Sequence, residues 1–444
     1  MTDENPDATK ATNHLNLLNA GIITLDDIIA AGASVSRRSL PPPAASAAGA
    51  PVAAASRAAM DPIKVGASRD EDKKRVVVDG KAQVRAVFAN LGNNYTVKGY
   101  GERSRKGFGD FFLGMDAGPE RDSQSHDINK AIQSITAEEG FTLGLKATRA
   151  AYDTLDDEAT TDRTWLEQVS DTFKRAPMHA FDAVSSYMVA AVTKDLFGIP
   201  DGELIVTAPS RSNLTAPSCC PYDFKVVSAS LFKPDPKPEV VSGGPYLGQL
   251  LAKQTATLVA RLRAAKTPPP GRLMQVLFDN IPPVEDDRLV RTLIGTMMGL
   301  LPTIDGNLIE VMNGLQKNGE IPGLKAKIAD MGTELSYDHV RDLLKPAVYK
   351  AMQQIPVPEA VWRIAAHDHV ISGEKQVAVK KGDMVVVDIA SATNADLKDN
   401  IADVSAIFGG SRTGQGKRPT HACPGYEMAM GIIYGAVAVM LQRA

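Results

Sequence analysis

The sequence predicts one large, mainly α-helical domain with a small β-sheet, preceded by an N-terminal extension. Through most of the chain after residue 60, apolar residues recur every three or four positions, which is typical of helices that bury one face. Only a few short runs have the composition of strands. Hydrophobic residues make up 44% of the 444 residues, which is enough for a packed core and excludes global disorder. Since no internal repeat divides the body, we expect residues 61–444 to form a single domain.

The N-terminal extension comprises residues 1–60. Its second half, Ser34–Met60, consists mostly of Ala, Pro and Ser and has no large apolar residue after Leu40. Such a segment cannot bury enough surface to offset its ordering entropy, so we predict a flexible linker. Ala11–Ala31 is richer in Leu and Ile and predicts a short amphipathic helix or a hairpin, which either docks on the body or has no role.

Charge and cysteine content exclude several classes of protein. The chain has 49 Lys and Arg against 52 Asp and Glu, a net charge of −3, which argues against a general nucleic-acid binder. Three cysteines, two of them the adjacent Cys219 and Cys220, do not form a disulfide framework and favour a reducing compartment. The acidic start, Met1–Lys10, is unlike a secretory signal, and no apolar run is long enough to span a membrane. We therefore expect a cytoplasmic protein.

The first predicted elements of the body are a strand and a helix. Val76–Val78 is a short β-branched run, and Asp79-Gly80 is expected to cap the helix that follows. Gly92 is expected to end this helix. Its apolar face, by helical spacing, consists of Val84, Val87, Phe88 and Leu91.

Longer helices follow. Phe181–Phe197 predicts one helix, ended by Gly198-Ile199-Pro200, and Pro268–Gly271 is expected to separate two others. Asp286 to about Leu315 predicts the longest helix, and its middle, Leu293–Leu301, is apolar on all sides, so it should cross the interior.

The C-terminal part changes its pattern. Gln376–Val379 and Met384–Ile389 predict two strands joined by the turn Lys380–Asp383. A last helix is predicted over about Gly425–Leu441.

The sharpest chemical signal is His421-Ala422-Cys423-Pro424-Gly425, directly before the last helix. A thiol at a helix N-terminus is favoured as thiolate by the helix dipole, and a thiolate is a good axial ligand for iron. Pro424 suits the first helical turn, and Gly425 lets the backbone approach a flat ligand. By itself the motif leaves open that Cys423 is a buried structural cysteine.

In its context, this motif resembles the cysteine loop of the cytochrome P450 family of haem-thiolate enzymes. That loop has a basic residue two positions before the cysteine, Gly two after and a small residue six after, which His421, Gly425 and Ala429 match. The resemblance runs from about Val76 to the C-terminus. Other collinear segments that resemble the family are FLGMDAGPE at 112–120, Ala347–Lys350 with Pro356 and Pro358, Arg363–Asp368 through Gly373, Lys381–Val385, Asn394–Asp396, and Phe408 with Arg412.

The resemblance implies a haem b cofactor whose iron is held by Cys423, the one predicted metal ligand. By position, Arg363 and His421 are the expected partners of the haem propionates, with Gly425 beside the cofactor. Arg121 stands one residue after Glu120, where the family often has a propionate-binding His. Each of these charges can instead be an ordinary surface charge.

The chain departs from the family at the Glu-x-x-Arg pair that normally braces the cysteine loop. This pair should fall at Lys350–Gln353 or one residue later, and neither register has the Glu or the Arg. A buried Arg412 would then be costly unless Gln353, Gln354 or an acid elsewhere satisfies it.

A second departure lies in the longest helix. Aligning Thr303 with the family's distal threonine leaves Pro302 at the position of the preceding acid, and Asp305 is too far along the helix to replace it. Proline is expected to kink the helix and open a groove over the distal haem face. We assign Pro302 and Thr303 as the catalytic candidates. Thr303 donates a hydrogen bond to bound oxygen or peroxide, or it bonds to its own preceding turn.

Two smaller departures concern the haem surroundings. Ser123 and Ser125 stand where the family has Arg, and Gly416 stands where it has Phe, seven residues before the cysteine.

The resemblance implies an oxidoreductase, first of all a monooxygenase that acts on a small apolar substrate with electrons from a ferredoxin-type partner. Lys417 and Arg418 either dock such an acidic partner or are plain solvated charges. A peroxide- or hydroperoxide-using enzyme is the alternative, because peroxide-using members of the family also have a Pro in the stretch of the long helix where Pro302 stands. Leu301, however, replaces the carboxylate-binding Arg of those relatives. A second alternative, suggested by the missing Glu-x-x-Arg, is a non-catalytic haem-binding sensor.

Overall fold

The computed structural model describes residues 74–161, 177–199, 221–265, 268–410 and 419–443. The N-terminal extension, the Cys219-Cys220 pair, Arg412 and Lys417-Arg418 lie outside these described residues, so the expectations made for them stay predictions.

The described residues are mostly helical, with two small sheets, which confirms the predicted fold class. The strands are β1 (Arg75–Val78), β2 (Tyr95–Thr96), β3 (Ala360–Ala365), β4 (His369–Ile371), β5 (Val377–Val379) and β6 (Met384–Asp388). The helices are α1 (Lys81–Ala89), α2 (Lys98–Ser104), α3 (Pro119–Gln133), α4 (Ala137–Thr161), α5 (Pro177–Phe197), α6 (Pro221–Phe232), α7 (Pro238–Ala264), α8 (Arg272–Asn280), α9 (Asp286–Lys317), α10 (Ile321–Asp330), α11 (Tyr337–Gln354), α12 (Ile389–Lys398) and α13 (Tyr426–Arg443).

The larger sheet has the strand order β1-β6-β3-β2, with β1 parallel to β6 and the other pairs antiparallel. The smaller sheet pairs β4 with β5. The two strands predicted around the turn Lys380–Asp383 are therefore both present, as β5 and β6, and this turn leads from the small sheet to the large one. Both edges of β6 are occupied, by β1 and β3, and the side chains of Val385–Val387 are fully buried.

The longest helix, α9, crosses the interior as its apolar middle predicts. Met297 and Leu301 are fully buried, and α9 packs against α5, α6, α7 and α11. Its observed end, Lys317, lies two residues beyond the predicted one, and the helix continues through Pro302.

The last helix, α13, makes the most extensive helix–helix contact of the described residues, with α4. Two glycines on each helix face the other helix. A Cβ at Gly140 or Gly144 would collide with the carbonyl oxygens of Met428 or Ile432, and one at Gly431 or Gly435 would collide with those of Ala137 or Phe141. The two backbones therefore pack directly on each other. Because α13 follows the cysteine motif directly, this contact also fixes the position of that motif.

The first helix of the body ends earlier than its apolar pattern predicts. Asn90 takes a left-handed conformation, with φ 45°, and donates its backbone N–H to the Ala86 carbonyl, so the helix stops at Ala89. Leu91, predicted on the buried face, is 91% exposed. Of the predicted Asp79-Gly80 cap, Gly80 is the observed N-cap, and the N-cap residue makes no side-chain hydrogen bond to the helix start.

Candidate active site

Cys423 lies three residues before the start of α13, in the segment 419–425 that we call the cysteine loop. Its backbone N–H donates to the Phe408 carbonyl at 2.9 Å, and its side chain is half-buried. Phe408 ends a single 3₁₀ turn, Ser405–Phe408. Gly409 follows with φ 76°, and a Cβ there would approach the His421 carbonyl oxygen to 2.9 Å. The 3₁₀ turn can therefore pack against the cysteine loop because residue 409 has no side chain.

The surroundings of the sulfur suit a thiolate. The N-terminus of α13 presents the positive end of its dipole, which favours a negative charge nearby. A Cβ on Gly425 would lie 3.3 Å from Ile132 Cγ2 and from Met428 Cε, and 4.0 Å from the Cys423 sulfur. A side chain at residue 425 would therefore press on Ile132 and Met428, while it would stand in ordinary contact with the sulfur.

Three basic residues from distant parts of the sequence come together beside this loop. Arg121, in α3, donates from Nη2 to the Thr420 carbonyl at 2.8 Å. Arg363, in β3, donates from Nη1 to the Tyr100 hydroxyl and to the Trp362 carbonyl, both at 2.8 Å. Burial, followed by the positive charges of Arg363 and Arg121, lowers the pKa of His421 to about 3. Because both arginines act on the imidazole of His421, the three residues predicted to bind the propionates lie close enough to interact electrostatically.

This basic cluster, Arg121, Arg363 and His421, has little negative charge to balance it. Among the described residues, Arg363 is 9% exposed and has no carboxylate partner, while Arg121 reaches Asp122 only at 3.5 Å. The Arg121 Nε is buried without a hydrogen-bond partner, and burial lowers the pKa of this guanidinium. Buried cations need anions or acceptors. The cluster therefore fits a ligand that carries carboxylates, as the two propionates of haem do.

On the long helix, the stretch Gly299–Thr303 is more open than the residues around it. Gly299 is exposed and Pro302 and Thr303 are half-buried, although their neighbours in α9 are mostly buried. A Cβ on Gly299 would meet only the Leu113 side chain, at 4.0 Å. We call Gly299–Thr303 the open stretch, because a ligand can approach the helix backbone here.

Thr303 bonds to its own preceding turn. Its hydroxyl donates to the Gly299 carbonyl at 2.5 Å and lies 3.2 Å from the Leu300 carbonyl. Of the two alternatives that the sequence leaves open, this geometry matches the local one. Pro302 has no backbone N–H to donate to the carbonyl one turn earlier in the helix. One turn after Thr303, the side-chain amide of Asn307 donates to the Thr303 and Val357 carbonyls, both at 2.8 Å.

Asp305 does not belong to the open stretch. Its side chain is fully buried, forms an ion pair with Lys225 of α6, and accepts a hydrogen bond from the Ser185 hydroxyl of α5 at 2.5 Å. The nearest carboxylate along the chain from Thr303 is thus committed to contacts with two other helices.

At the position of the missing Glu-x-x-Arg pair, α11 has an ion pair, made by Lys350 with the segment next to α10, and uncharged contacts at Gln353. Lys350 pairs with Glu320 at 2.8 Å. Gln353 is fully buried, and its side-chain Nε2 donates to the Ile401 carbonyl at 2.9 Å. Its backbone carbonyl accepts a hydrogen bond from the Thr393 hydroxyl, also at 2.9 Å. The contacts of Arg412 lie outside the described residues.

Two further features of the site were not predicted from the sequence. The hydroxyls of Tyr349 and Tyr426 are 2.7 Å apart, and Tyr100 supports Arg363. No spacing links positions 349 and 426, so sequence patterns gave no signal for that pair. The doublet Gly409-Gly410 was a readable signal for a special turn.

No protein-family model matches the chain, and no curated protein matches it significantly by sequence. Solved structures do match. P450BioI, in complex with an acyl carrier protein ligated to hexadec-9Z-enoic acid, is 11% identical with a TM-score of 0.57, over 85% of this chain and 87% of that one. Ligand-free CYP164A2 of Mycobacterium smegmatis is 16% identical with a TM-score of 0.55, over 83% of both chains.

The tirandamycin C-bound P450 monooxygenase TamI is also similar, with 16% identity and a TM-score of 0.53 over 83% of this chain and 82% of that one. At identities this low, a structural match establishes the fold and leaves the reaction open. The chain has the cytochrome P450 fold.

Proposed function

We propose that this protein is a haem-thiolate oxidoreductase in which Cys423 holds the iron of haem b. The observation that supports this most is the basic cluster beside the cysteine loop, within a cytochrome P450 fold. A merely structural cysteine gives no reason for two buried guanidinium groups and an imidazole to converge where the described residues supply only one carboxylate, that of Asp122, at 3.5 Å.

In this proposal Arg121, Arg363 and His421 bind the propionates. Arg121 also holds the Thr420 carbonyl, so one side chain connects cofactor binding to the position of the cysteine loop. Tyr100 accepts from Arg363 and orients its guanidinium. Thiolate-bound haem supplies activation of O₂ or of a peroxide O–O bond.

The open stretch would form part of the substrate side. Gly299 and Leu113 present apolar surface there, which suits a small apolar substrate. Because the Thr303 proton is given to the Gly299 carbonyl, its oxygen is available as an acceptor that can hold a water or a substrate hydroxyl. Pro302 supplies no carboxylate, and Asp305 is held by Lys225 and Ser185.

We infer first a monooxygenase supplied with electrons by a ferredoxin-type partner. A peroxide- or hydroperoxide-using enzyme is the second candidate, and the engagement of Asp305 favours it, since no free carboxylate among the described residues of the open stretch can carry protons. One of the similar structures holds a carrier-linked fatty acyl group, so free and carrier-linked fatty acids belong in the substrate panel. The cytoplasmic location stays a prediction.

A spectrum tests the ligand. The reduced protein with carbon monoxide should show the red-shifted Soret band of a thiolate-bound haem, and Cys423→Ala should lose it. The matched control replaces both Cys219 and Cys220 by Ala and should keep the band. A band that survives in Cys423→Ala would overturn the proposal.

Turnover separates the candidate reactions. For the monooxygenase, NAD(P)H with a ferredoxin and its reductase should support oxidation while hydrogen peroxide alone does not. For the second candidate, a lipid hydroperoxide should be consumed without an electron donor. Pro302→Asp should raise reductase-dependent turnover if the missing acid limits proton supply. Tight haem binding without turnover under either regime would support the sensor.

A further inference from the structure

The cysteine loop is connected to α11 through a series of contacts that contains no charge. Tyr349 of α11 is 8% exposed, and its hydroxyl lies 2.7 Å from the hydroxyl of Tyr426, the first residue of α13. The Tyr426 ring packs edge-on against Phe408, with ring centroids 4.8 Å apart and planes at 87°. The Phe408 carbonyl then accepts the Cys423 N–H at 2.9 Å.

The same helix also holds the segment that leads into Phe408. Gln353 donates to the Ile401 carbonyl, and Thr393 donates to the Gln353 carbonyl. Helix α11 is therefore linked to Phe408 in two ways. One link runs through Ile401, in the segment that precedes Phe408, and the other runs through the Tyr426 ring.

The hydroxyl pair of Tyr349 and Tyr426 can hold the start of α13 in place without the cost of removing charges from water. A buried ion pair must recover the large cost of removing two charges from water, whereas two hydroxyls carry no charge and share one hydrogen bond, in which one donates and the other accepts. The rings of Tyr349 and Tyr426 fill space whether or not they carry hydroxyls. The hydroxyl bond adds direction, because it requires one orientation of the α13 start relative to α11.

We propose that the Tyr349–Tyr426 pair, acting through Phe408, positions the Cys423 sulfur and replaces a charged brace between α11 and the cysteine loop. This inference rests on the proposed function in one respect: the sulfur is taken to be the iron ligand. Both tyrosines are positioning residues, since neither is taken to touch substrate or cofactor.

The test uses the full-length protein as purified, with Cys219 and Cys220 replaced by Ser so that Cys423 is the remaining thiol. The rate of Cys423 alkylation by iodoacetamide is measured for Tyr349→Phe, Tyr426→Phe and the double variant. Losing the hydroxyl bond should let the loop open more often and raise the rate about fivefold. The double variant should react no faster than either single variant, because all three lack the same bond.

The control is Tyr95→Phe. Tyr95 is 7% exposed, and its hydroxyl is bonded to His369 Nε2 at 3.0 Å, in another part of the fold. This variant should lower the unfolding temperature to a similar extent and leave the alkylation rate unchanged. If the tyrosine pair variants lower the unfolding temperature but alkylate at the parent rate, the pair only stabilises the fold and the proposal is wrong.

The carbon monoxide spectrum gives a second reading. In the pair variants, part of the Soret intensity should move away from the thiolate position, and the Tyr95→Phe spectrum should match the parent. A parent protein without any thiolate band contradicts the proposed function alone, because the alkylation rates still decide whether the pair positions the sulfur. Tyr349→Phe and Tyr426→Phe each remove the same hydrogen bond. If one of the two variants folds poorly, the alkylation rate of the other still tests the proposal.

Discussion

Around Cys423, each neighbouring segment is fixed by a specific contact: the Phe408 carbonyl on its amide, Gly409 against the His421 carbonyl, and Arg121 on Thr420. Around the open stretch of α9, specific contacts are fewer, and the one nearby acid points to other helices. Under the proposed function, this difference has a reason: the cysteine loop would have to be rigid to hold the iron, whereas the open stretch would have to leave room for a substrate. It also implies that substitutions near the open stretch change mainly stability, whereas substitutions around the cysteine loop also change haem binding.

The largest effect is expected at Asp305. Asp305→Asn leaves Lys225 without its charge partner in a site where Asp305 is fully buried, so the free energy of unfolding should fall by about 3–5 kcal/mol. Replacing the pair with Leu at 305 and Met at 225 should restore most of that loss. Denaturant unfolding measures both. A loss below about 1 kcal/mol for Asp305→Asn would show that the ion pair is not buried as described.

A smaller effect is expected at Gly409, for which the chain offers a matched control. Gly319 also has a positive φ, 67° against 76°, but a Cβ there would meet nothing within 4 Å. Gly319→Ala should cost only the backbone strain, about 1 kcal/mol, while Gly409→Ala should cost about 2–3 kcal/mol because it also presses on the His421 carbonyl. Haem content should fall only in the second variant. Equal losses would mean that this close approach does not shape the cysteine loop.

At the basic cluster, Arg363→Gln should weaken haem binding by about 10- to 100-fold, the usual worth of a hydrogen bond to a charged group. Arg103→Gln is the control, because Arg103 is another partly buried arginine, and it donates to backbone carbonyls of 230, 231 and 233. Haem titration followed by absorbance measures both affinities. If Arg103→Gln weakens binding as much as Arg363→Gln, the cluster is not a propionate site.

The smallest effect, when it is taken per pH unit, is a pH dependence. The pKa of His421 is about 3 in the folded chain without haem and about 6.5 when unfolded, so the unfolded chain binds one more proton between these values. Stability should therefore fall as pH decreases from 6.5 toward 3, by at most about 1.4 kcal/mol per pH unit. His421→Gln should remove this part of the slope, and the exposed His126→Gln should not. Haem binding should reduce the slope, because propionates offset the two arginine charges.

Much of the fold could be predicted from the apolar pattern, because the middle of α9 and most of α13 are long apolar runs that are buried on all sides, and α5 has apolar residues at helical spacing. Strand pairing could not, since the pattern of β5 and β6 does not say which strands lie beside them. Leu91 was misplaced because a single left-handed Asn90 ended its helix.

For the site, the positions of Arg121, Arg363 and His421 followed from the family resemblance, and their convergence is a three-dimensional fact. The Tyr349–Tyr426 pair could not be predicted, because a contact across 77 positions has no periodic signal. The missing Glu-x-x-Arg pair marked where to look without indicating what replaces it.

The glycines at 140, 144, 431 and 435 have a consequence for tracing the ancestry of this chain. Each position excludes every residue with a side chain, since the carbonyl of the opposite helix occupies that space. A charged motif can be lost once neutral contacts replace it. Where the backbones of α4 and α13 pack directly on each other, however, no other residue can replace these glycines. Distant homologues that have lost the usual signature should still carry these two pairs of glycines, four residues apart within each pair, and could be detected by them.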